Sequence, residues 1–157
     1  SGDGAPFLLA LDGVTDPGNL GALLRSASAA GVTGVVLPRH RAVHVTPTVA
    51  KAAAGAIEHL PIAVVGGLPA ALARLRDAGA WLIGLDARGP TSLWDLDAGD
   101  RPVVLVVGAE GEGLSRLVRE RCDQVASIPM RGPLDSLNAA TAGALACFEV
   151  ARRRGGG

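Results

Sequence analysis

The sequence predicts an α/β domain built on a mainly parallel six-stranded sheet flanked by helices. Two observations lead there. Apolar runs of strand length alternate with helical periodicity along almost the whole chain. The carboxyl-terminal runs then break sharply into loops dense in Gly, Pro, Ser and Asn, and in an open parallel sheet such loops gather at the carboxyl ends of the strands, where ligands bind.

The first apolar run, over 7–12, reads as a buried strand. Asp16-Pro17-Gly18 is a turn, with Asn19 as the expected N-cap of a helix over 20–30 that stops at Gly31. That helix places Leu20, Leu23, Leu24 and Ala27 on one face and Arg25 on the opposite side. A second strand over 34–37 ends at Pro38, and Thr46-Pro47 opens a helix running to about residue 56. A strand over 61–65, a helix over 69–78 closed by Gly79, and a strand over 80–85 follow. A long loop holding Pro90, Thr91 and Trp94 leads to strands over 103–107 and 125–128, which flank a short helix over 115–121. The last helix, over 138–152, is expected to present Ala144, Leu145 and Phe148 to the core.

With 157 residues, 48% of them apolar, the chain fits a single domain with an ordered core over about 7–152. No apolar run approaches the roughly 18 residues of a membrane span. Ser1-Gly2-Asp3-Gly4 is not a signal sequence, and the missing initiator Met leads us to expect a part of a longer protein. Cys122 and Cys147 lack metal or redox spacing, which fits a reduced, cytoplasmic setting. His40 and His44 sit four apart without a third ligand, so no metal is expected. The formal net charge is zero, but arginines cluster at 39–41, 116–121 and 152–154, and local patches of this kind can contact phosphates. Two Trp, two Phe and no Tyr argue against an aromatic platform for single-stranded nucleic acid.

The chemistry is expected where the run over 103–107 breaks into Gly108-Ala109-Glu110-Gly111-Glu112-Gly113. A P-loop would need Lys after its second Gly, whereas Gly113 is followed by Leu114-Ser115 and the only lysine is Lys51. The dinucleotide fingerprint G-x-G-x-x-G is also absent, since Gly108, Gly111 and Gly113 give the reverse spacing. Read alone, these glycines could simply turn the chain. Likewise Asn19 could be a bare cap, Arg25 a solvated arginine, Glu110 a carboxylate facing water, and Ser136 and Asn138 caps of the last helix.

Three motifs in order set those alternatives in context. Leu11-Asp12-Gly13-Val14-x-Asp16-Pro17-x-Asn19-Leu20-Gly21 with Arg25, then Gly108-x-Glu110-x-x-Gly113, then Ile128-Pro129-Met130 with Ser136-Leu137-Asn138 resemble the motifs of the SpoU (TrmH-like) RNA ribose 2′-O-methyltransferases of the SPOUT superfamily. The resemblance covers about 7–152 and is greatest to the branch that modifies a guanosine of large-subunit ribosomal RNA. It implies a deep carboxyl-terminal trefoil knot, S-adenosyl-L-methionine as cofactor, RNA as substrate with 23S ribosomal RNA ahead of tRNA, and a homodimer whose site lies at the subunit interface.

Residue by residue, the resemblance implies catalytic roles for Asn19, Arg25, Glu110, Ser136 and Asn138, with an Arg25–Glu110 ion pair orienting the guanidinium. It implies cofactor contacts, largely through main chain, at Leu85, Gly108, Ala109, Gly113, Ile128, Met130, Leu137 and Asn138. Where many members carry a hydroxyl two residues after Ser-Leu-Asn, this chain has Ala140, with Thr141 next to it. Members of the branch also carry a small amino-terminal RNA-binding domain that these residues do not include. An antibiotic-resistance methyltransferase shares the motifs. A non-catalytic RNA-binding or dimerisation module is the reading from a different class, and the intact catalytic set argues against it.

Overall fold

The computed structural model describes residues 4–42, 55 and 59–155. In chain order its elements are β1 (Phe7–Asp12), α1 (Pro17–Ala29), β2 (Gly34–Pro38), the single turn α2 (Arg39–Ala42), β3 (Ile62–Val65), α3 (Leu68–Asp77), β4 (Trp81–Leu85), β5 (Thr91–Ser92), β6 (Val103–Gly108), α4 (Arg116–Arg121), β7 (Gln124–Ser127) and α5 (Ala139–Arg153). The strands form one sheet in the order β3-β2-β1-β6-β4-β7-β5, and every neighbouring pair is parallel. The helix expected over 46–56, and His44, lie outside the described residues.

Alternation along the central strands splits the core into two layers. Leu9 and Leu11 of β1 and Val103, Leu105 and Val107 of β6 face α1 and α5, where they meet Leu20, Leu23, Leu24, Ala146, Cys147 and Val150. Ala10, Val104 and Val106 face the other way, onto Leu68 and Leu72 of α3 and Val118 of α4. β6 is buried along its whole length, as expected of a central parallel strand covered on both faces. It pairs with β1 from Phe7↔Val103 to Asp12↔Gly108, so Gly108 lies level with Asp12 at the carboxyl edge of the sheet.

The sheet has seven strands where the sequence predicted six, because Thr91–Ser92, read as loop, pairs with Ala126 and Ser127 of β7. Two residues carry no readable period, and it is the neighbour that makes them a strand. α1 begins earlier than expected. Its N-cap is Asp16, whose Oδ2 accepts from the Asn19 backbone N–H at 3.0 Å, with Pro17 opening the first turn, so Asn19 is inside the helix and does not cap it. At the other end, Asn138 does cap α5, its Oδ1 accepting from Thr141 N–H at 2.8 Å.

α5 also turns a different face inward. Ala139, Gly143, Ala146, Cys147 and Val150 are buried, while Leu145 and Phe148 are 40% and 50% exposed. The physical reason is Gly143, which lies against Leu23 of α1: a Cβ there would stand 2.4 Å from Leu23 Cδ1. That close approach fixes the rotation of α5, and Leu145 and Phe148 then point away from the sheet.

Strand order carries a further consequence. From β4 the chain runs out to the edge at β5, returns as β6 between β1 and β4, and goes back as β7 between β4 and β5. The last two strands are thus inserted among strands laid down earlier. The loops after β4, β6 and β7 meet at one carboxyl edge as a result. No helix among the described residues is long and apolar enough to cross a membrane.

Candidate functional site

Those three loops and the start of α5 enclose a pocket of about 270 Å³. Leu85, Val107, Ile128, Leu137, Ala139 and Ala142 give it an apolar floor, and Glu110, Asp135 and Arg88 bring charge to its lining. The glycines of the β6 loop shape it by close approach. A Cβ on Gly108 would lie 2.4 Å from the carbonyl carbon and oxygen of Gly113, because the loop folds straight back over it. The fold-back is closed by the Gly113 N–H donating to the Ala109 carbonyl at 2.8 Å. Gly113 itself has φ +70° and packs on the Asp86 carboxylate, so both its conformation and its surroundings exclude a side chain.

Asp86, directly after β4, is the residue that sequence reasoning missed. Its side chain is 1% exposed. Oδ1 accepts from the Arg88 backbone N–H at 2.9 Å and from Arg88 Nε at 3.3 Å. Oδ2 accepts from the Leu114 N–H at 3.0 Å and pairs with an Arg119 guanidinium nitrogen at 3.2 Å. Burial pushes the pKa of this carboxyl up, but the N–H groups of Arg88 and Leu114 and the Arg88 guanidinium outweigh it, and the group is held below its ordinary value. The available signal was position, an acid closing an apolar strand among the strand ends that hold the site. Motif reading gave it no weight.

Two more contacts tie the loops together. Arg88 reaches over to donate to the Glu112 carbonyl at 2.9 Å, and Asp12 Oδ2, at the end of β1, accepts from the Ser115 N–H at 2.7 Å. The loops after β1, β4 and β6 are therefore hydrogen-bonded into one edge.

The residues expected to serve a cofactor divide as follows. Leu85, Gly108, Ala109, Gly113, Ile128, Met130 and Leu137 all line the pocket, whereas Asn138 stands beside it as the α5 cap. Of the expected catalytic residues, Glu110 and Ser136 line the pocket. Asn19 and Arg25 are on α1, outside that lining, and Arg25 is exposed. The expected Arg25–Glu110 ion pair is absent among the described residues, where Arg25 makes no salt bridge. The chain thus brings together the carboxylate and the hydroxyl but not the arginine.

A doubly covered parallel sheet with a glycine-shaped pocket at its carboxyl edge defines a ligand-binding α/β domain. Comparison with known proteins narrows this class: residues 6–148 match the model of the SpoU rRNA Methylase family, and the chain belongs to that family. It is 48% identical over 147 residues to a TrmH family tRNA/rRNA methyltransferase of Staphylococcus saprophyticus, covering 94% of this chain and 59% of that protein. The chain therefore spans about three-fifths of the length of that relative. Among solved structures it is similar to the SpoU methyltransferase AviRb from Streptomyces viridochromogenes in complex with AdoMet, with TM-score 0.84, 34% identity, and coverage of 98% of this chain and 62% of that one. It is also similar to a structure of an RNA 2′-O ribose methyltransferase, with TM-score 0.84, 30% identity, and coverage of 95% and 57%.

Proposed function

We propose that this chain is the catalytic domain of an S-adenosylmethionine-dependent RNA methyltransferase that modifies a ribose 2′-hydroxyl, with 23S ribosomal RNA as substrate. The observation that carries the reading is the pocket, whose lining includes seven of the eight positions expected to hold the cofactor. AviRb, which is similar to nearly the whole chain, is described with AdoMet bound.

The residues fit the group. S-adenosylmethionine supplies, when bound, a methyl group on a positively charged sulfonium. The apolar floor suits adenine, the bare backbone at Gly108 allows close approach, and Glu110 and Asp135 favour a cationic ligand. Ribose specificity is supported by the similarity to an RNA 2′-O ribose methyltransferase.

The chain's own tasks are to position the ribose and to ease loss of its proton. Glu110 and Ser136 stand in the pocket wall, where they can orient the hydroxyl. Arg25 supplies a guanidinium, a planar fork of donors suited to phosphate and other anionic oxygens. Its role is to hold the target phosphate or stabilise the developing alkoxide.

Arg25 lies outside its own protomer's pocket, and this supports a site completed by a second copy. Gly18, Ala22, Arg25 and Ala29 of α1 are exposed and fall on one helical face, as do Thr141, Leu145, Phe148 and Arg152 of α5. α1 packs on α5 through Leu23 and Gly143, so these stripes lie on neighbouring helices. A two-fold axis through them would cover Leu145 and Phe148 and carry Arg25 towards the partner's pocket. The interleaved strand order supports the deep knot, with the segment after Ile128 threaded through the preceding loop. A crystal structure with an unthreaded α5 would refute the threading. As an enzyme of RNA maturation the protein would work in the cytoplasm.

Tritium transfer from labelled S-adenosylmethionine to purified RNA tests the function. It is run with this chain and with the longest form its gene encodes. Label in 23S ribosomal RNA is the expected result, label confined to tRNA would move the substrate, and cofactor binding without transfer to any RNA would favour a non-catalytic module.

A further inference from the structure

Asp86 makes a set of contacts that the proposed function does not require of it. An ionised carboxylate has about four lone-pair sites. In Asp86 three are engaged, by the N–H groups of Arg88 and Leu114 and by Arg88 Nε, and the Arg119 guanidinium forms an ion pair with Oδ2 at 3.2 Å. Although Asp86 forms part of the pocket wall, its side chain is 1% exposed and its carboxylate is turned to donors of the protein itself. Whatever it does for catalysis it does through its neighbours.

Those neighbours are the loop that shapes the pocket. Leu114 N–H ends the Gly108 to Leu114 fold-back, and Gly113 presses its Cα side against the carboxylate, where an added Cβ would meet Oδ2 at 2.4 Å. Arg88 spans from Oδ1 to the Glu112 carbonyl in the same loop, at 2.9 Å. Arg119 binds Oδ2 and also reaches the Arg88 carbonyl at 3.4 Å, so α4 is tied into the arrangement.

We infer that Asp86 is the positioning residue of the pocket: one buried carboxylate that holds the β6 loop, the β4 loop and α4 in the geometry that accepts the methyl donor. The inference rests on the reading that this pocket takes S-adenosylmethionine. The carboxylate must be charged, because an amide in its place offers one oxygen to four donors and turns an N–H₂ group towards at least one of them. It must also be short. A glutamate would drive its carboxylate into Gly113 and the loop above it, so Asp86→Glu does not restore what Asp86→Asn loses.

The test compares wild type, Asp86→Asn and Arg119→Gln in calorimetric titration with S-adenosylhomocysteine, in methyl transfer, and in amide hydrogen exchange. For Asp86→Asn we expect at least a tenfold weaker Kd, with a matching rise in KM for the methyl donor and a KM for RNA within about twofold of wild type. The Leu114 amide should lose protection while the amides of β1 and β2 keep theirs, a pattern that general destabilisation would not give. Arg119→Gln removes one outer partner of the carboxylate and should weaken S-adenosylhomocysteine about threefold. It serves alone if Asp86→Asn does not fold, and unchanged affinity in it then overturns the inference. Wild-type affinity in Asp86→Asn, or equal loss of protection across the sheet, overturns it as well. If wild type itself fails to bind S-adenosylhomocysteine, the reading of the pocket falls instead.

Discussion

Gly108→Ala adds one methyl group where the loop after β6 folds back on the main chain of the site. The new Cβ would stand 2.4 Å from the carbonyl carbon and oxygen of Gly113 and 2.8 Å from the Leu114 nitrogen. Ordinary contact begins near 3.4 Å, so the fold-back must lift by about 1 Å. Backbone has to make this move, because the obstructing atoms are main chain. It is opposed by the Gly113–Ala109 and Leu114–Asp86 hydrogen bonds. Overpacking of this kind costs about 1–3 kcal/mol. The same displacement moves Ala109, Glu110 and Gly113 within the pocket wall. If the cost falls on the bound form, affinity for S-adenosylhomocysteine drops by about 5- to 150-fold. If it falls on folding, the melting temperature drops by about 2–12 °C. Calorimetric titration beside thermal unfolding reads both. A variant with wild-type affinity and wild-type melting temperature would refute the close-approach argument.

Three other outcomes are expected. Arg25→Ala should abolish methyl transfer while S-adenosylhomocysteine binds within about threefold of wild type, since Arg25 lies outside the pocket; large loss of binding would move it into the cofactor site. Light scattering at micromolar concentration should give twice the chain mass of 15.7 kDa, and Phe148→Glu should give the single mass with transfer lost; a monomeric wild type that still methylates RNA would exclude the shared site. Glu149, buried on α5, has its pKa drawn down to about 2 by its hydrogen bond to Arg152, against the opposing effect of burial, with help from Arg153. A carboxyl depressed in the folded state stabilises above its unfolded pKa and loses that contribution as pH falls through its folded pKa. Urea unfolding of Glu149→Gln should therefore show a loss of roughly 1–2 kcal/mol at pH 7, after discounting for the solvent-screened Arg152. The difference from wild type should shrink between about pH 4.5 and pH 2, and a pH-independent difference would sink the electrostatic explanation.

How much of this was legible beforehand depended on whether the information was local. β1, β6 and the helix stop at Gly31 follow from runs and punctuation in the chain itself, and they stand where the pattern put them. The motif glycines pointed to a loop, and Gly108 and Gly113 indeed have no room for side chains. What escaped reading depends on neighbours. Thr91–Ser92 is a strand only because β7 lies beside it. The inward face of α5 is chosen by Gly143 meeting Leu23, a contact between residues far apart in the chain. Asp86 is a single acid at the start of a long loop until Leu114 and Arg119 arrive from other elements. The cap of α1 fell to Asp16 because Pro17, preset for the first helical turn, favours a start before Asn19.

Methylation at the ribose oxygen can be read directly with alkali. RNA hydrolyses in alkali through attack of the 2′-hydroxyl on the adjacent phosphate, so a methylated ribose leaves its linkage intact. RNA labelled by this protein with tritiated S-adenosylmethionine would be digested in alkali and its products separated by charge. The label is expected in a single alkali-resistant dinucleotide. Label released entirely in mononucleotides would place the methyl group on a base and contradict ribose methylation.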